Sequence, residues 1–375
     1  MIKPRKIVIG TIVILSLLAL VPACSTLGYY SQAISGHLDL ISRERPVAEV
    51  IEDKASSAEL KRKLVLSQRV RQFASEALHL PDNDSYKQYA DLERPYVVWN
   101  VVATPAYSIK PKEWCYFIVG CLSYRGVFDK QEAEQLAKEL KVEGLDVSVF
   151  GTAAYSTLGY FDDPLLNTML RHGDTNLIGI IFHELAHQMV YVENDTAFNE
   201  AFATAVEQEG LRRWFNRAGK PGEYEAYLQK KRYRHAFYGL IIRTREKLET
   251  AFAAAATDKE KQRSKEQIYL GFKHEYKAWR EASGYAGFDN WMQRDLNNSH
   301  LALIATYQEL VPTFINVLAS VGGDMLKFYE TVKILGEKDK KTRASLLALY
   351  KGIKTSSTNV SSTTRTKPGS VGETE

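Results

Sequence analysis

The chain has 375 residues, of which 45% are hydrophobic, enough for one large or two modest domains with an ample core. Lys3, Arg5 and Lys6 carry three of its formal +4 charges. The near-neutral remainder lacks the basic stripe of a nucleic-acid binder and excludes that partner class.

In chain order, that basic cluster opens onto the apolar run Ile7 to Val21, which has 15 residues. This is short for a membrane span and right for the hydrophobic region of a signal peptide, expected over residues 1–23. Val21-Pro22-Ala23-Cys24-Ser25 looks like a bacterial lipobox, so cleavage before Cys24 and lipidation of that cysteine are expected. The alternatives are an uncleaved anchor or a plain export signal. Ser25 resembles lipoproteins sorted to the outer membrane, facing the periplasm. In that oxidising compartment Cys115 and Cys121 would form a disulfide across a turn near Gly120, the alternative being two buried thiols.

Residues 24–94 read as a helical segment, with helices over Leu27–Glu52, broken or restarted at Pro46, and over Ser57–Leu78. Lys61, Arg62 and Lys63 read as a solvated basic face, the alternative being contact with anionic lipid. A sheet region follows over 95–160. Tyr96–Ala103, Ser123–Val127, Asp146–Phe150 and Tyr155–Tyr160 have strand composition. Asp129 and Glu132 start a helix between them, which Gly144 ends. Ser156, Thr157, Leu158 and Gly159 are placed either in an ordinary hairpin strand or in an edge strand that hydrogen-bonds an extended substrate backbone.

The most informative stretch is Asp174 to Gln208. Asp174 reads as an N-cap, and Leu177, Ile178, Ile181, Phe182, Leu185 and Met189 form one apolar stripe of a helix running to about Tyr191. On the other face stands His183-Glu184-Leu185-Ala186-His187. Residues four apart share a helix face, so His183 and His187 can offer imidazole nitrogens to one ion. Zinc suits two such imidazoles plus a carboxylate. Glu184, about 100° round the helix, borders that ion without ligating it, where a base for a metal-activated water belongs. Gly179, one turn earlier, reads as a point of close backbone approach. A second helix capped by Asp195 would bring Glu200 back opposite His187 as third ligand, with Glu193 a weaker candidate. Glu207 lies two turns further on the same face, where it could orient a ligating imidazole.

The rest, 220–353, reads as almost wholly helical: 222–256, 258–281, 299–320, 323–336 and 340–352. Asn297, His300 and Tyr307 could share a face near the site, and Tyr307 is the candidate donor to a developing oxyanion. Residues 354–375, rich in Ser and Thr, read as a disordered tail.

HELAHQ followed by NEAFA resembles the gluzincin metallopeptidases. That resemblance implies metal ligands His183, His187 and Glu200 and a catalytic base at Glu184. More of the chain is similar to a family of bacterial lipoproteins described as candidate zinc aminopeptidases. The similar segments are WCYFIVGCLSYRGVF, YSTLGYFDDP, the zinc block and LNNSHLALIATYQELVP. Two features depart from the thermolysin-like pattern. Thr204 stands where an aspartate often supports a ligating histidine, and the gap from His187 to Glu200 is shorter.

The expected fold is therefore α+β, a small mainly antiparallel sheet preceding a mostly helical, zincin-like catalytic body over 95–353, with zinc helices at 174–215. The expected activity is peptide-bond hydrolysis at one zinc ion through a water activated by Glu184. Aminopeptidase specificity follows from the resemblance alone. An exopeptidase must pair the substrate ammonium, and Asp162, Asp163 and Glu193 are available for that. The rival readings are an envelope endopeptidase and a non-hydrolytic lipoprotein that uses zinc to hold its fold or bind partners. Oligomeric state is not legible.

Overall fold

The computed structural model describes residues 28–116, 120–154, 162–302 and 310–351. The expected signal peptide, Cys24, the Tyr155–Tyr160 strand with Ser156, Thr157, Leu158 and Gly159, Tyr307 and the 354–375 tail lie outside these residues.

A small, mainly antiparallel β region precedes a large helical body. Residues 28–42 belong to helix α1, strand β1 spans Glu44–Pro46, and α2 restarts at Val47 and runs to Glu52. The expected Leu27–Glu52 helix is thus divided at Pro46, whose missing N–H and fixed φ favour an extended segment entering a helix start. Helix α3 (Ala58–Leu78) begins where the Ser57 hydroxyl accepts the Leu60 N–H. Its Leu64, Val70, Phe73, Ala74 and Leu78 are buried. Arg62 and Lys63 are not simply solvated, as their sequence context suggests. Arg62 makes two hydrogen bonds to Asp174, at 2.7 and 3.0 Å, and the buried Lys63 ammonium donates to the His172 carbonyl.

Strand β2 (Gln88–Ala90) pairs antiparallel with β1 and parallel with β8 (Leu165–Leu166). Strand β3 (Val98–Pro105) is central to a second sheet, between β6 (Arg125–Val127) and β7 (Leu145–Thr152), both antiparallel to it. The short ribbon β4 (Trp114–Tyr116) and β5 (Gly120–Leu122) places the Cys115 and Cys121 sulfurs 1.97 Å apart. Helix α4 (Lys130–Val142) starts where the Asp129 carboxylate accepts the Glu132 N–H and lays Ala133, Ala137 and Leu140 on the second sheet. Gly144, at φ 82°, makes the turn into β7.

The helical body follows the short helix α5 (Asn167–Leu170). Helices α6 (Asp174–His187) and α7 (Thr196–Arg217) form its centre and share one apolar core with α3, α12 (Val311–Ser320) and α13 (Met325–Gly336). A second core joins α8 (Pro221–Ala254) to α9 (Asp258–Ser283), where Phe237 stacks on Phe288 at 4.1 Å. Thr257 and Glu260 complete a capping box at the start of α9. Two short helices, α10 (Asp289–Met292) and α11 (Asn298–Ala302), and then α14 (Lys340–Lys351) are the remaining helices among the described residues. The expected 299–320 helix corresponds to α11 and α12, the latter beginning afresh beside Pro312. Among the described residues no helix is long and apolar enough to cross a membrane.

Candidate metal centre

Helix α6 is held by its apolar stripe: Leu177, Ile181, Phe182 and Leu185 are fully buried. Gly173, not Asp174, occupies its N-cap position, and Asp174 stands in the first turn. The Asp174 carboxylate accepts from Arg62, and that contact holds its pKa down at about 2. The helix ends at His187 rather than near Tyr191. The cause lies in α7: the Asn199 side chain accepts the Val192 N–H and donates to the Val192 carbonyl, each at 2.8 Å. These two bonds take up backbone groups that a longer α6 would use within itself. The Asp195 carboxylate caps α7 by accepting the Phe198 N–H and is gripped at 2.8 Å by the buried Arg343 of α14.

The two helices pair in opposite directions, so that Glu200 meets both histidines and Glu207 meets His183. Where a Cβ on Gly179 would stand, Glu207 Cγ and Oε1 lie 3.3 Å away. Gly179 thus makes room for a carboxylate side chain rather than for a backbone.

The donor atoms converge. His183 Nε2 and His187 Nε2 are 3.2 Å apart, and Glu200 oxygens lie 3.4 Å from the first and 3.7 Å from the second. A tetrahedral zinc site with metal–ligand bonds of 2.0–2.1 Å has ligand–ligand edges of about 3.3 Å. The residues fit such an ion in donor type and in spacing. Glu113 sits beside Cys115 and Cys121 in a second cluster of ligand-type atoms, but there the sulfurs are bonded to each other.

Behind His183, Glu207 Oε2 lies 3.4 Å from Nδ1, and the Tyr227 hydroxyl of α8 donates to Glu207 Oε1 at 2.7 Å. Lys231, one turn on from Tyr227, has its ammonium over the Tyr227 ring at 5.3 Å. Glu207, not the position of Thr204, supports the first histidine. Burial by itself would raise the Glu207 pKa, but the His183 contact, the Lys231 charge and the Tyr227 hydrogen bond bring it down to about 2.

Charge differs sharply between the remaining groups. Burial opposes the imidazolium of His183, yet the Glu200 and Glu207 carboxylates prevail and raise its pKa to about 10 in the metal-free protein. Burial, reinforced by the His183 charge, lowers His187 to about 4, so that this ring is neutral and ready to ligate. Glu184 is pushed up to about 7, first by burial, with the carboxylates of Glu200, Asp163 and Glu207 adding to it.

The other expected site residues fall elsewhere. Glu193 is exposed and outside the ligand cluster, as is Asp162, which accepts the Asp84 N–H. Asp163 is buried and interacts electrostatically with Glu184. Asn297 donates to the Val147 carbonyl of β7, and the His300 ring packs edge-on to Trp291. Asn297 is thus tied to the sheet region and His300 to α10, and neither is hydrogen-bonded to the three ligand-type side chains among the described residues. Sequence reasoning did not find Tyr227, Lys231 or Tyr86. Tyr86 is fully buried, has φ 65° and interacts electrostatically with Glu184. No local pattern marks these three among 21 tyrosines and many lysines.

Over residues 28–347 the chain matches a family described as "Putative aminopeptidase". No curated protein and no solved structure matches it.

Proposed function

This chain belongs to the "Putative aminopeptidase" family, and from that premise we propose that it is a zinc-dependent peptidase acting at the free N-termini of peptides. One observation carries the reading: His183, His187 and Glu200 present donor atoms 3.2–3.7 Å apart, the edge lengths a four-coordinate zinc ion requires. When bound, zinc would polarise the scissile carbonyl and acidify a water beside Glu184.

Each residue then has a task that its surroundings suit. Glu184, the neighbour of His183 on α6, takes a proton from the attacking water and returns it to the departing amine. Glu207 fixes the ring of His183 through Nδ1, keeping Nε2 directed at the ion. Glu200 supplies the negative charge of the ligand set. The substrate ammonium would pair with a carboxylate, for which Asp162, Asp163 and Glu193 are the candidates. The same reading makes the chain an envelope lipoprotein anchored through Cys24, with a peptide or protein as substrate.

The test is a panel of peptides with free and blocked N-termini, offered to zinc-loaded wild-type protein and to Glu184→Gln. The wild type should release N-terminal residues from free peptides only. The variant should bind one zinc per chain yet lose at least about a hundredfold in kcat, the usual worth of a positioned base. Undiminished turnover by Glu184→Gln refutes the assignment of the base. Cleavage of blocked peptides makes the enzyme an endopeptidase, and no cleavage by zinc-loaded protein makes it a binding protein.

A further inference from the structure

Helix α1 presents to solvent an apolar stripe that its packing cannot turn inward. Its inner face is fixed by four contacts. Tyr29 stacks on Tyr116 at 3.9 Å. The Gln32 side chain donates to the Gly126 carbonyl and accepts the Phe128 N–H, each at 3.2 Å. Gly36 lies so close against the Phe128 ring that a Cβ has no room, and Leu40 is buried at 1% exposure. At about 100° per residue these four positions span one side of the helix. Ile34, Leu38 and Ile41 fall on the opposite side and are 60%, 59% and 41% exposed.

Single exposed apolar residues are ordinary on protein surfaces, but three in register on one helix face are not. The face holding them is also uncharged. Between Gly28 and Leu38 there is no Asp, Glu, Lys or Arg, and the other exposed positions beside the stripe are Ser31, Ser35 and Ser42. A helix face meant for water carries charge, whereas an apolar face flanked by small hydroxyls suits the boundary between headgroups and acyl chains.

The position of the stripe says what covers it. Helix α1 is described from residue 28 onward, four residues after Cys24. Four residues reach at most about 14 Å, so a lipid on Cys24 holds the start of the helix at the bilayer surface. We propose that the Ile34, Leu38 and Ile41 face of α1 lies in the interface of the membrane that holds the lipid anchor, and so sets the orientation of the catalytic body to the bilayer. This rests on the reading of Cys24 as a lipidation site.

The test uses full-length, lipidated protein in vesicles of phosphatidylethanolamine and phosphatidylglycerol. Nitroxide labels are placed one at a time through Ile34→Cys, Leu38→Cys and Ile41→Cys. Val142→Cys on α4, 90% exposed in the wild type, serves as the aqueous control. The ratio of collisions with oxygen to collisions with a nickel chelate should rise severalfold at the three α1 positions relative to the control. Equal ratios at all four positions overturn the proposal. So does spin–spin broadening between copies that shield α1 from both reagents, because the occupant would then be a second copy. The mass of the mature N-terminal peptide is read separately. An unmodified Cys24 would sink the lipid anchor itself, and equal collision ratios on a lipidated chain would sink only the docking face.

Discussion

Gly179→Ala sets two effects of comparable size against each other. Alanine in a helix interior is favoured over glycine by about 0.8–1.0 kcal/mol. The added methyl would meet Glu207 Cγ and Oε1 at 3.3 Å and Leu211 Cδ1 at 3.4 Å. Glu207 cannot swing aside freely, because Tyr227 holds one oxygen at 2.7 Å and His183 lies 3.4 Å from the other. Overpacking at such a site costs about 1–3 kcal/mol. The net expectation is a destabilisation between roughly zero and 2 kcal/mol. Any shift of Glu207 also loosens the support of His183, which should weaken zinc binding by about tenfold, the low end for loss of such a partner. In a Glu207→Ala background the obstacle is gone, and the same Gly179→Ala change should stabilise by nearly the full helix preference. Thermal unfolding of chelator-treated protein and zinc competition with a chromophoric chelator measure the two quantities. A Gly179→Ala protein that melts higher than wild type and binds zinc equally well would refute the packing of Glu207 against Gly179.

Three further outcomes are expected. His183 is raised from 6.5 to about 10 in the metal-free protein. Its contribution to stability is therefore complete below about pH 6.5 and is lost as pH rises through about 10. Chelator-treated protein should lose melting temperature between pH 7 and 10, and zinc-loaded protein, where the ion replaces that proton, should not. By the same linkage zinc uptake displaces the proton, so affinity should rise about tenfold per pH unit between pH 7 and 9, measured by competition titration. Arg343→Ala leaves the partly buried Asp195 carboxylate without its guanidinium and should cost about 1–3 kcal/mol in denaturant unfolding, whereas Arg343→Lys should recover part of it.

Some of the site was legible because its chemistry is local. The spacing of His183 and His187, the apolar stripe beneath them and the Asp195 cap each depend on residues within one helix turn, where backbone geometry fixes which side chains are neighbours. The end of α6 was misplaced because nothing within HELAHQMVYV requires a stop at His187. The stop comes from Asn199, which holds Val192 from the next helix. Asp174 was misread by one position for a related reason. An acid at a helix start can cap it or simply stand in its first turn, and Arg62, 112 positions away, settles the matter.

The sequence by itself determined the parts that repeat along a helix or sit at its ends: the ligand-type histidines, the neighbouring base, the caps and the order of a small β region before a helical body. Only the tertiary structure decided which acid stands behind His183, what the missing side chain of Gly179 makes room for, and that Tyr227 and Lys231 complete the surroundings of Glu207. Those relations join α6, α7 and α8, and contacts between helices depend on how their faces are turned and packed together. Periodicity shows which face of a helix is apolar, but not which partner that face will meet.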